Sequence, residues 1–172
     1  MAYMWCSLAF AYYLIVFQVK YLPGDVFNNS MASSGAELLG NVAGGVLLSK
    51  LGIRFAFSST FIVSTFGGLL ILFFGISNPN LMPLFMAFVK FGVASGFVIV
   101  YVSTVDLFPT LFCATALGFC NFFARLVTIM APVVAEKSGL LPIIVFTCMS
   151  VAGSMLSLLL RPPNKIVRSN KL

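Results

Sequence analysis

The sequence predicts an all-α integral membrane protein, a bundle of six transmembrane helices, and three observations predict it. Of 172 residues, 60% are hydrophobic and 8% are charged, against roughly 45–50% and 25% in a soluble domain. The apolar residues fall into six stretches, each close to the ~20 residues a helix needs to cross a ~30 Å hydrocarbon core. Those stretches are continuously apolar rather than alternating, and about twice the length of a barrel strand.

The first span runs from about Met4 to Tyr21 and stops at Leu22-Pro23-Gly24-Asp25. The second covers about Asn29 to Leu51 and ends in the turn Leu51-Gly52-Ile53-Arg54. The third, about Phe55 to Gly75, is closed by Ser77-Asn78-Pro79-Asn80, and the fourth extends from Leu81 to Val102. The fifth opens at Pro109, a residue suited to a first helical turn, and reaches Val134. The sixth runs from Pro142 to Leu160, where Arg161-Pro162-Pro163 halts it and a basic tail, residues 161–172, follows. Links this short make neighbouring helices antiparallel hairpins. Without a basic leader or a small-residue cleavage site, the first stretch reads as a retained span.

Six spans put both termini on one face. That face gathers Lys50, Arg54, Arg161, Lys165, Arg168 and Lys171, while the other holds Lys20 and Lys137. The positive-inside rule then makes the termini cytoplasmic, or matrix-side in a mitochondrial membrane. The tail is expected to touch anionic lipid head groups. The net charge of +6 is spread over membrane edges and helix interiors, so nucleic acid is not an expected partner.

The chain has no His, which removes imidazole ligands and imidazole acid–base chemistry. Neither a nucleophile–base pair nor a ligand cluster is legible, so no catalytic residues, metal or cofactor are expected. Cys6, Cys113, Cys120 and Cys148 all lie in apolar spans without a CxxC pair and read as small buried hydrophobes.

Three ionisable residues stand inside spans, where each costs at least ~2.5 kcal/mol unless paired or in a wet cavity. They are Glu37, Lys90 and Arg125. Two readings stay open at this point. Glu37 pairs with Lys90 or Arg125 and ties helices together, or the three line a path for an ionic substrate or a proton. Together they leave one positive charge over, which would attract an anion. Tyr12-Tyr13 sets two hydroxyls inside the first span, each in need of a partner. Gly40-Asn41-Val42-Ala43-Gly44 and Gly92-Val93-Ala94-Ser95-Gly96 have the small-xxx-small spacing that lets helices approach closely.

Several motifs carry a family resemblance. Val89-Lys90-Phe91-Gly92 followed by Tyr101-Val102-Ser103-Thr104-Val105-Asp106-Leu107-Phe108-Pro109-Thr110 resembles the "GKF…Y…SELYPT" signature of the organic cation/organic anion transporter family of the major facilitator superfamily. Ala116-Leu117-Gly118, Ala124-Arg125 and Ala131-Pro132 are similar to that family's eleventh helix. Phe10-Ala11-Tyr12-Tyr13 resembles the start of its seventh, Ala36-Glu37-Leu38 the acidic motif of its eighth, and Leu51-Gly52-Ile53-Arg54 its "LGRR" turn.

The resemblance implies a fold, the C-terminal six helices (seven to twelve) of a twelve-helix facilitator. It also implies roles. Arg125 matches the position that helps bind anions in anion-transporting members, Glu37 and Lys90 would be cavity or gating charges, and Asp106 and Arg54 would belong to a cytoplasmic gate. The chain departs from the family where Cys113 replaces an Arg, where Val127 replaces a small residue, and where Asn41 stands in place of a cation common in anion transporters.

Substrate sites in such folds lie between two bundles, and one bundle alone would expose half a polar cavity to lipid. A membrane partner is therefore expected: an N-terminal half, a second copy or a larger complex. The leading expectation is half of a secondary transporter moving small organic ions, anionic or zwitterionic, by alternating access. The alternative is a non-transporting, transporter-derived structural subunit of a larger membrane complex, a bioenergetic one among the options, which Cys113 and the short length favour. Truncation of a longer protein stays open beside both.

Overall fold

The turn after the first helix shows how local chemistry positions the elements. Helix α1 spans Ala2–Gln18 and is followed by a 3-10 turn, Val19–Tyr21. Leu22 is extended, as the residue before a proline prefers to be. Gly24 takes the left-handed region at φ 100°, and the Asp25 side chain then caps the next helix by accepting from the Phe27 amide at 3.0 Å. That helix is α2, Val26–Phe74. After a 3-10 turn at Pro79–Leu81 come α3 (Met82–Leu107), α4 (Thr110–Thr128), α5 (Met130–Ala135) and α6 (Leu141–Leu158). The computed structural model describes residues 1–75, 77–137 and 139–159; the basic tail predicted at 161–172 lies outside them.

Among the described residues every regular element is helical, and five helical segments are long and apolar enough to cross a membrane. The sequence predicts six. The difference arises because the second and third predicted spans are continuous in α2, whose 49 residues leave helical geometry at Gly52 alone (φ 76°, ψ 169°). A straight helix of that length would measure about 74 Å, more than twice the apolar thickness of a bilayer.

Contacts to α3 show that α2 is not straight. A Cβ on Gly40 would lie 2.7 Å from the Phe91 carbonyl and one on Gly44 would lie 2.7 Å from that of Ser95, so this leg runs parallel to α3. Beyond Gly52 the order reverses. Thr60 and Ser64 meet Gly92, and Gly67 meets Val89. The two legs clasp one stretch of α3, and Gly52 supplies the left-handed backbone that the reversal needs without a loop. Ser95 fastens the first leg by donating to the Gly40 carbonyl at 2.9 Å.

Two further bounds differ from expectation. The fifth predicted span is interrupted at Ile129, between α4 and α5, because Pro132 has no N–H to give the Thr128 carbonyl. Helix α3 continues past Val102 to Leu107 and stops at extended Phe108, the residue before Pro109. Asp106 therefore sits in its last turn.

The core lies between α1, both legs of α2, α3 and α6. One half is built on Leu14, Ile15, Ile71, Met86, Val89, Ile143 and Phe146, the other on Trp5, Leu8, Phe57 and Ile99. Helix α4 is peripheral, burying only Cys120 and Ala124. It leaves Leu111 87% exposed, with Phe112, Phe119 and Phe122 exposed beside it, a face suited to lipid or to another membrane protein rather than to water. For the same reason the cysteines are not uniformly buried. All four are free thiols, but only Cys120 is buried and Cys148 is exposed, since an apolar side chain need not hide from lipid.

Candidate functional site

Glu37 lies on the first leg of α2 and meets Lys90 of α3, with Oε2 3.4 Å from Nζ. Lys90 is 3% exposed, and a buried ammonium requires such a partner. A second face of the same charge is satisfied by the Tyr12 ring, whose centroid is 3.8 Å from Nζ. The Tyr12 hydroxyl in turn donates to Glu37 Oε1 at 3.0 Å. Two helices thus hold the carboxylate from both sides, and its two oxygens are used by different partners.

Arg125 stands apart from this pair. From α4 it donates to the Tyr13 hydroxyl, with its guanidinium carbon 5.6 Å from the Tyr13 ring centroid. Tyr12 and Tyr13 meet edge to face at 5.5 Å, as aromatic quadrupoles favour. Tyr12 meets Phe97 in the same way at 5.6 Å. The Trp5 indole donates to Thr104 Oγ1 at 3.0 Å and meets Tyr101 edge-on at 4.5 Å.

These side chains enclose a cavity of about 240 Å³. Its aromatic wall is Trp5, Tyr12, Tyr13, Phe97 and Tyr101, and its polar groups are Glu37, Asn41, Asn121 and Arg125. A shallower apolar groove of about 430 Å³ adjoins it through Tyr13 and Arg125, with Phe17, Phe122, Leu126 and Ile129 along its length. One carboxylate, one guanidinium, two amides and a set of π-faces can hold a small organic ion by charge, hydrogen bonds and ring contact. Among the described residues no three His, Cys, Asp or Glu gather as a metal-binding group.

The structure thus brings Tyr12, Tyr13, Glu37 and Arg125 to one cavity. Lys90 is not on its wall; it lies behind Glu37. Arg54, just past the break in α2, donates to the Leu158 carbonyl of α6. Asp106 is at the far end of α3, and no ion pair joins it to Arg54 among the described residues. Trp5, Phe97 and Asn121 were not singled out by the sequence, and Tyr101 only as part of a motif. Helical spacing points to them: Asn121 lies one turn before Arg125, Asn41 one turn after Glu37, Trp5 two turns before Tyr12, and Phe97 one turn before Tyr101.

Helices of spanning length, an apolar outer face and an ionic, aromatic-walled cavity between the helices define an integral, multi-pass membrane protein. No family model matches the chain. It is, however, 28% identical over 163 residues to human organic cation/carnitine transporter 2, covering 91% of this chain and 29% of that protein. It is 27% identical over 161 residues to organic cation transporter 1 of Caenorhabditis elegans, covering 92% of this chain and 28% of that one. With organic anion transporter 3 of Rattus norvegicus it shares 28% identity over 166 residues, 94% of this chain and 31% of the relative. The resemblance seen in the motifs stands: the curated relatives are organic cation and organic anion transporters. The chain spans about three tenths of their length.

Proposed function

We propose that this chain is one bundle of a facilitator-type secondary transporter, corresponding to the C-terminal six helices of the fold, and that it moves small organic ions by alternating access together with a covering membrane partner. The observation that carries the reading is the cavity itself, in which Arg125 faces the same space as Glu37 while Glu37 is already matched by Lys90. The positive charge left over favours an anionic or zwitterionic substrate. The reversal of α2 at Gly52 supports six crossings from five helical segments, and so both termini on one face, cytoplasmic or matrix-side.

Partner and gate follow from the same reading. The exposed apolar face of α4, beside a cavity that includes Arg125, is the side on which a second bundle would complete the site. Arg54 and Asp106 belong to the proposed inner gate. Joined to an N-terminal half, the chain should give proteoliposomes uptake of an organic anion, and Arg125→Ala should abolish it; unaltered uptake in that variant would remove Arg125 from the role.

Cys113 supports the second reading, a non-transporting subunit of a larger membrane complex, because a thiol cannot pair with Asp106 as the family's Arg would. Co-purification with a large assembly, and no uptake in any reconstituted form, would decide for it.

A further inference from the structure

We propose that Lys90, which does not line the cavity, sets the sign of charge the cavity prefers, and that it does so through Glu37. The inference rests on the ligand-binding reading above and names a specificity-determining residue for it. The wall offers a prospective ligand one carboxylate, Glu37, and one guanidinium, Arg125. Arg125 is hydrogen-bonded to a neutral phenol, Tyr13, so its charge is undiminished. Glu37 has an ammonium 3.4 Å behind it.

Lys90 is 3% exposed, so water screens it little and its field acts through protein of low dielectric. It is also held in place. Phe91, its neighbour, lies against Gly40 of the first leg of α2, and Gly92 lies against Thr60 and Ser64 of the second. Tyr12 closes over the ammonium at 3.8 Å. With Lys90 in place the three charges sum to one positive unit and an anion is preferred. Without it they sum to zero, and Glu37 becomes an unmatched carboxylate beside Tyr12, Trp5 and Tyr101, a setting that suits an organic cation. Specificity is a difference between two affinities, so a residue that never touches the ligand can reverse it.

The chain provides its own reporter, because its single tryptophan, Trp5, is on the cavity wall. The full chain in nanodiscs of neutral lipid, at pH 8, would be titrated with benzoate and with benzyltrimethylammonium while Trp5 fluorescence is followed. Wild type should bind benzoate more tightly. Lys90→Met should shift the ratio of the two dissociation constants towards the cation by at least about tenfold, Glu37→Gln should shift it towards the anion, and Glu37→Gln/Lys90→Met should return it to the wild-type value. Lys90→Arg should leave it unchanged. A ratio within about twofold of wild type in folded Lys90→Met, or a double variant as shifted as the single one, would overturn the proposal. If Lys90→Met fails to fold, the double variant, which buries no unpaired charge, is compared with Glu37→Gln alone; equal ratios in the two would overturn the proposal. Absence of any saturable response in wild type would instead sink the ligand-binding reading, and this inference with it.

Discussion

The Tyr12 hydroxyl donates to Glu37 Oε1 at 3.0 Å while the ring of the same tyrosine lies under the Lys90 ammonium. One side chain of α1 therefore serves both members of the ion pair that joins α2 to α3. Tyr12→Phe keeps the ring and removes only the hydroxyl. The variant should lose about 1.5–3 kcal/mol, the worth of a hydrogen bond to a charged group, read as a lower unfolding midpoint in detergent; an unchanged midpoint would show that the hydroxyl adds nothing to the pair.

The reversal of α2 depends on backbone conformation rather than on space. A Cβ at Gly52 would meet nothing within 4 Å, yet the residue sits at φ 76°. Gly52→Ala should therefore cost about 1–3 kcal/mol. Gly45→Ala, in the same helix with equally open surroundings and ordinary helical geometry, should stabilise by about 0.5–1 kcal/mol. Thermal denaturation of the two variants side by side checks the contrast, and equal effects would argue against the strained turn.

Helix contact gives the opposite case. At Gly92 a Cβ would fall 2.3 Å from Ser64 Oγ and 2.7 Å from the Thr60 carbonyl, which is backbone and cannot move aside. Gly92→Ala should separate α3 from the second leg of α2 at a cost of about 1–3 kcal/mol. Crosslinking yield between cysteines placed at Ser64 and Val93 should fall with it.

Six crossings make a topological prediction. Cysteines introduced at Lys20 and Lys137, with the native four replaced by Ser or Ala, should react with a membrane-impermeant maleimide from one side of a sealed vesicle. A cysteine at Arg54 should react only from the other. Labelling of all three from one side would contradict the reversal at Gly52.

Much of this fold could be read from composition and punctuation. Leu22-Pro23-Gly24-Asp25 and Phe108-Pro109 end helices where proline and a cap require it, and both are visible in the sequence. The turn at Leu51-Gly52-Ile53-Arg54 was visible too; the continuity of α2 through it was not, because a single glycine at φ 76° reverses the chain without the loop such a motif implies. Charge placement likewise brought Glu37, Lys90 and Arg125 to notice, since an ionised group in a span must be explained. Which of them reaches the cavity is a matter of helix rotation. Lys90 points between the first leg of α2 and α1, where Glu37 and Tyr12 meet it, a relationship no spacing rule contains. The rest of the aromatic wall was less legible for a different reason: among 19 Phe and 5 Tyr, Phe97 looks like every other lipid-facing ring, and Tyr101 carries only its place in a motif, until the neighbours of the charged residues are known.

The measurement closest to the centre of this account is benzoate binding to the full chain in nanodiscs, followed through Trp5, in wild type and Arg125→Ala. Loss of a charge-assisted hydrogen bond of about 1.5–3 kcal/mol predicts affinity lower by roughly ten- to hundredfold in the variant, with Tyr13→Phe changing it far less. Equal affinity in wild type and Arg125→Ala would contradict the assignment of this cavity as a site for organic anions.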